Sequence, residues 1–157
     1  SAVLGKELST EVIEMDELIV KRQGMPISQI FETRGEEYFR ELETGLLVEL
    51  QQRDGVIVSC GGGTPMRECN VAEMKKSGII VLLTARPETI FERVRYSHNR
   101  PLIEHNKTVE YIAELLEKRR EKYEAAADVT IATDGKDTRE ICREIQDSVK
   151  EWEKQSC

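Results

Sequence analysis

A short run rich in β-branched residues, Val56-Ile57-Val58-Ser59-Cys60, leads directly into three consecutive glycines, Gly61-Gly62-Gly63. An apolar run of that length has the composition of a strand covered on both faces. Upstream, Phe39, Leu42, Leu46, Leu47 and Leu50 recur at helical spacing, and Asp54-Gly55 marks a turn between that helix and the strand. Each glycine gives up about 0.5–1 kcal/mol relative to alanine in regular structure, so three in a row need a reason. One reason is close approach of a ligand to the backbone, at the carboxyl end of a strand in an open α/β sheet. A plain flexible loop, continued by Thr64-Pro65, is the alternative.

The rest of the chain repeats the alternation. Residues 11–15 form a strand candidate, and Asp16 to Gln23 a helix that Gly24 and Pro26 end. Ser28 is placed to cap a short helix over 29–34. Residues 79–83 read as a second buried strand, 88–96 as a helix, 108–126 as a long helix and 129–132 as a further strand. A closing helix over 138–154 carries Ile141, Ile145, Val149 and Trp152 on one face. Four strands separated by helices predict an α/β fold, a parallel sheet with helices on both faces.

A length of 157 residues suits one domain, and 39% hydrophobic with 34% charged residues is ordinary for a globular protein. The net charge of −7 argues against a general nucleic-acid or anionic-membrane binder, since both surfaces demand a basic partner. No run approaches the eighteen or so apolar residues of a membrane span, which makes a cytoplasmic location the expectation. Cys60, Cys69, Cys142 and Cys157 show no paired spacing, and His98 and His105 stand seven apart, so reduced thiols are expected rather than a zinc site.

Several polar residues stand out on this frame. Glu14 and Asp16 share one side of an extended backbone, where they could serve a substrate hydroxyl or a magnesium ion; Asp16 could equally be a helix N-cap. Arg119 falls on the inward stripe of its helix with Val109, Ile112, Leu116 and Tyr123, while Lys118 and Lys122 point away. An inward guanidinium needs an anionic partner, either a ligand or a protein carboxylate. Arg40 is three residues from Glu43 and could simply pair with it on the helix surface. Arg100-Pro101 lies in the polar segment 97–107, which reads as a mobile lid or as an ordinary solvated loop.

The order of EMDELI, GMPISQIFETRGEEYFRELET, VIVSCGGG, NRPLI and EKRREKY followed by ADVTI resembles the shikimate kinase family, nucleoside-monophosphate-kinase-like members of the P-loop fold. The resemblance runs from Glu11 to about Asp134. It implies a three-layer α/β/α P-loop kinase fold and transfer of the ATP γ-phosphoryl to the 3-hydroxyl of shikimate, with Mg²⁺, in aromatic amino-acid biosynthesis. It implies that Asp16 binds the substrate hydroxyls and accepts a proton, and that Arg40 and Arg119 hold the substrate carboxylate, with Glu43 orienting the arginine. Gly61, Gly62 and Gly63 would lie against the substrate ring. Arg100 would reach over the ATP phosphates from the lid, and Arg93 would pack on adenine. The substrate region would span about 16–43, and the enzyme would be a monomer.

Two departures qualify that match. The family opens with a strand and a phosphate-binding G-x-x-x-x-G-K-[ST] loop, and Gly5-Lys6-Glu7 is not that motif. Ser1 to Lys6 resembles the helix just beyond the loop, so Ser1 takes the place of its last residue and, with Glu14, is the magnesium-binding expectation. A strand between 56–59 and 79–83 is then expected from residues before Ser1, with a further shortfall near Thr10. The second departure is Glu14 in place of the first aspartate of the family's D-x-D. A non-catalytic domain that binds shikimate without the phosphate loop is the alternative reading.

Overall fold

The computed structural model describes residues 1–95 and 108–156. The expected lid, with Arg100, and Cys157 fall outside them. The order is α1 (Ala2–Leu8), β1 (Glu11–Glu14), α2 (Met15–Gln23), α3 (Ile27–Arg34), α4 (Glu36–Leu50) and β2 (Val56–Ser59). A 3₁₀ turn (Thr64–Met66) leads to α5 (Glu68–Ser77), β3 (Val81–Thr84), α6 (Pro87–Val94), α7 (Val109–Ala126), β4 (Val129–Ala132) and α8 (Thr138–Ser156).

All described strand pairings are parallel, as the alternation predicts. β1 pairs with β2, Glu11 opposite Val56 through Glu14 opposite Ser59, and β3 pairs with β4, Val81 opposite Val129 through Thr84 opposite Ala132. Among the described residues β2 and β3 do not pair with each other. Both line one cavity of about 740 Å³.

The larger core lies between β1, α2, α3 and α4. Met15, Ile30 and Leu47 are essentially inaccessible there, and Phe39, Leu46 and Leu50 join them from the inward stripe of α4. A smaller cluster joins α6 to α7 through Val94 and Ile112, with Ile90, Leu115 and Leu116 against it. α8 packs on β4 and α1, and Gln146 donates to Glu7 across that contact at 2.8 Å.

Turn chemistry explains most element ends. Gly24 closes α2 at φ 69°, Gly35 stands between α3 and α4 at φ 88°, and Gly55 turns the chain into β2 at φ 66°. Two expectations are corrected. β1 ends at Glu14, which is the N-cap of α2, so Asp16 lies in the first helical turn and does not share an extended strand with Glu14. α3 begins at Ile27 behind Pro26, whose fixed φ suits helix entry, leaving Ser28 inside the helix and not at its cap. The 3₁₀ turn and α5 occupy a stretch to which the sequence alone assigned no element.

Candidate active site

The three glycines end β2 and put one backbone strap against three charged side chains. A Cβ built on Gly61 would stand 3.3 Å from Asp16 Oδ1, and one on Gly62 3.1 Å from both Arg119 Nη1 and Tyr123 Oη. On Gly63 it would overlap the Arg40 guanidinium, 2.6 Å from Cζ. None of the three has a positive φ. Space, not backbone conformation, is therefore what glycine supplies here. The close approach expected of the glycines is present, made by the protein's own functional groups.

Arg40 leaves α4 towards this strap and is held on both sides. Its Nη1 donates to Glu43 Oε1 at 2.6 Å, and its Nη2 to Glu36 Oε2 at 3.2 Å. Glu43 is completely buried, so the pair is not the surface contact the spacing alone allowed. Burial works to lower the Arg40 pKa, but the hydrogen bonds and charges of Glu43 and Glu36 outweigh it and raise the value above the ordinary one. Its charge is fixed at every working pH.

Arg119 comes from the opposite side, half-buried on the inward stripe of α7. Its Nη1 contacts Tyr123 Oη at 3.2 Å, and that hydroxyl donates to the Gly62 carbonyl at 2.7 Å. Among the described residues no carboxylate pairs with Arg119. A half-buried guanidinium with no carboxylate partner among the described residues favours the ligand-binding alternative over the structural ion pair. Lys122, expected to point away, stays exposed but donates to the Met66 carbonyl at 2.7 Å.

Negative charge gathers at the strand end. Cys60 is exposed to the cavity, yet desolvation by the packed strand end, then the carboxylates of Glu43, Asp16 and Glu14, push its thiol up to about 11. Asp16 is thus one of three carboxylates whose charge reaches the Cys60 thiol.

Arg93 lies at the other end of the cavity, where its Nη1 donates to Thr133 Oγ1 at 2.9 Å and its Nη2 to the Thr133 carbonyl at 3.3 Å. Ser1 also lines the cavity. No group of three or more His, Cys, Asp or Glu that could hold a metal occurs among the described residues. Three residues with a part in this geometry had no role in the sequence reading: Tyr123, which braces Arg119, and the buried Thr64 and Asn70. Tyr123 was visible on the inward stripe, and Thr64 directly follows the glycines. Nothing in the sequence marked Asn70.

The family model for shikimate kinase matches residues 1–150. The chain belongs to the shikimate kinase family. A shikimate kinase of Dehalococcoides mccartyi is 36% identical over 156 residues, covering 99% of this chain and 88% of its own length. That of Geobacter sulfurreducens is 38% identical over 149 residues, covering 95% and 82%. Among solved structures, shikimate kinase from Acinetobacter baumannii in complex with shikimate superposes with a TM-score of 0.88 at 31% identity, covering 93% of this chain and 82% of that one. The enzyme from Aquifex aeolicus gives 0.80 at 34% identity, covering 95% and 86%. The fold is that of the shikimate kinases, an α/β P-loop kinase fold, as the motif order implied.

Proposed function

We propose that this protein is an ATP-dependent kinase that phosphorylates the 3-hydroxyl of shikimate. One observation carries the reading: Arg40 and Arg119, 79 residues apart in sequence and on different helices, meet the same glycine strap that Asp16 touches. Two converging guanidiniums suit a carboxylate, and a carboxylate one glycine away suits a hydroxyl on the same small ring. Tyr123 and Glu43 fix the two guanidiniums before substrate arrives, so less ordering entropy is lost on binding.

In this reading Arg40 and Arg119 grip the substrate carboxylate and the glycines allow the ring to lie flat on the backbone. Asp16 receives the hydroxyl proton as the new P–O bond forms and the bond to the ADP oxygen breaks. Phosphoryl transfer demands positioning and charge neutralisation more than covalent catalysis. ATP supplies the phosphoryl group and Mg²⁺ neutralises charge on its phosphates. Mg²⁺ characteristically takes one or two protein oxygens with phosphates and waters, and the Ser1 hydroxyl and the Glu14 carboxylate would supply them. Arg93 is assigned to the adenine and Arg100 to the phosphates. In this reading the protein acts in the cytoplasm as a monomer. Separately, no helix of the described residues is long and apolar enough to cross a membrane. No observation favours the non-catalytic alternative.

The test is kinetic. A hydrogen bond to a charged group contributes about 1.5–3 kcal/mol, so Arg119→Ala should raise KM for shikimate by about 10- to 150-fold. KM for ATP should stay within about twofold, because the nucleotide end does not touch Arg119. Equal rises in both constants would defeat the assignment.

A further inference from the structure

Behind the glycine strap, a second row of polar residues is buried almost completely. Glu43 and Thr64 are 0% exposed and Asn70 1%. Burying three polar side chains is unfavourable unless each is satisfied. Here they form one chain of hydrogen bonds. Arg40 takes one oxygen of Glu43, and the other, Oε2, accepts from Thr64 Oγ1 at 2.6 Å. The Thr64 carbonyl accepts from Asn70 Nδ2 at 2.9 Å, and Asn70 Oδ1 faces Thr44 Oγ1 on α4 at 2.8 Å.

The donor order in this chain is forced. A carbonyl only accepts, so Asn70 turns its NH₂ to Thr64 and its oxygen to Thr44, whose one proton has Asn70 Oδ1 at 2.8 Å as its shorter acceptor and the Arg40 carbonyl at 3.1 Å as the other. The carboxylate of Glu43 only accepts, so Thr64 must donate to it. The 3₁₀ turn is thereby locked to α4 in one register. It is tied to α7 as well, through Lys122 to the Met66 carbonyl. The turn that follows Gly63 therefore joins the two helices that carry the site's arginines.

We propose that Thr64 and Asn70 are positioning residues of the carboxylate-binding end: Asn70 fixes the turn, Thr64 fixes the second oxygen of Glu43, and Glu43 then has one orientation in which to hold Arg40. Without the Thr64 hydroxyl, Glu43 keeps Arg40 as its partner but loses the contact that sets its rotation. The guanidinium then samples positions away from Gly63, and the effect falls on the substrate carboxylate, not on nucleotide. The kinetic half of this inference rests on the shikimate reading; the placement of Arg40 does not.

Thr64→Val, which removes the hydroxyl at nearly constant volume, should raise KM for shikimate about tenfold and leave KM for ATP within about twofold. Thr64→Ser, which restores the donor, should return the shikimate constant to within about twofold of the parent. In the same proteins the Arg40 side-chain Nε–H resonance should be single and sharp in the parent and in Thr64→Ser, and shifted or broadened in Thr64→Val. An unchanged shikimate KM and Arg40 resonance, equal rises in both KM values, or no rescue by serine would overturn the proposal. Absence of shikimate-dependent turnover in the parent would count against the proposed function instead, and the Arg40 resonance would then decide the positioning role alone. Should Thr64→Val fail to fold, Thr44→Val breaks the chain at its half-buried end. It should raise the shikimate KM alone by a few-fold, and no change would be equally fatal.

Discussion

Gly63 is separated from alanine by one methyl group, and that methyl would occupy the place of the Arg40 guanidinium. The obstacle is the end of a side chain and not backbone, so Gly63→Ala should fold and misplace the arginine. The contacts grade the series: Gly62→Ala presses Arg119 and Tyr123 at 3.1 Å, and Gly61→Ala meets Asp16 at 3.3 Å. Loss of kcat/KM for shikimate should therefore fall in the order Gly63→Ala, Gly62→Ala, Gly61→Ala, with each melting temperature close to the parent's. A flat series would show that the glycines are only a flexible loop. Cys60 offers a pH-dependent prediction at the same scale. Its thiol is raised from the ordinary 9.0 to about 11, so between those values the unfolded chain has lost a proton that the folded one keeps. Stability therefore falls as pH rises through that window. Urea unfolding at pH 8 and pH 10 should show the loss, and Cys60→Ala should reduce it; an equal loss in the variant would assign the slope elsewhere.

Among the elements, α4 carries the most consequence, since one face holds the core and the adjoining edge presents Arg40 and Glu43. Leu47 is 2% exposed at the centre of that face, and Leu47→Ala should cost about 2–5 kcal/mol, read as a lower urea midpoint with an unchanged slope. A shift below about 1 kcal/mol would mean that the site collapses around the smaller side chain. The same helix shows what was legible in the sequence. Its five apolar positions stand at strict helical spacing, so its extent and inward face could be read directly, as could the inward stripe of α7 with Arg119. α5 could not, because ECNVAEMKKS offers only Val71 and Met74 as full-sized apolar residues and buries an asparagine instead. The N-cap of α2 was missed for a related reason. Glu14 takes that place without a side-chain cap hydrogen bond, so the usual capping chemistry was absent from the sequence.

Across the whole molecule, the site draws on segments around residues 16, 40, 62 and 119, brought together because β1 and β2 are parallel and end side by side. Spacing alone left Arg40 and Arg119 each with a structural alternative; the order of five motifs pointed to one family, and the family match and fold agree with it. Their convergence on one strap could be seen only in three dimensions, and the Thr64–Asn70 chain behind it has no linear signature. The central claim is that two arginines recognise a carboxylate on the substrate. The most direct measurement compares kcat/KM for shikimate with that for its methyl ester, in the parent and in Arg119→Ala. The parent should favour the free acid by about 100-fold or more, as expected for two charge-assisted contacts, and Arg119→Ala should narrow that preference by at least about tenfold. An ester turned over as well as the acid, or a preference untouched by the substitution, would contradict the account.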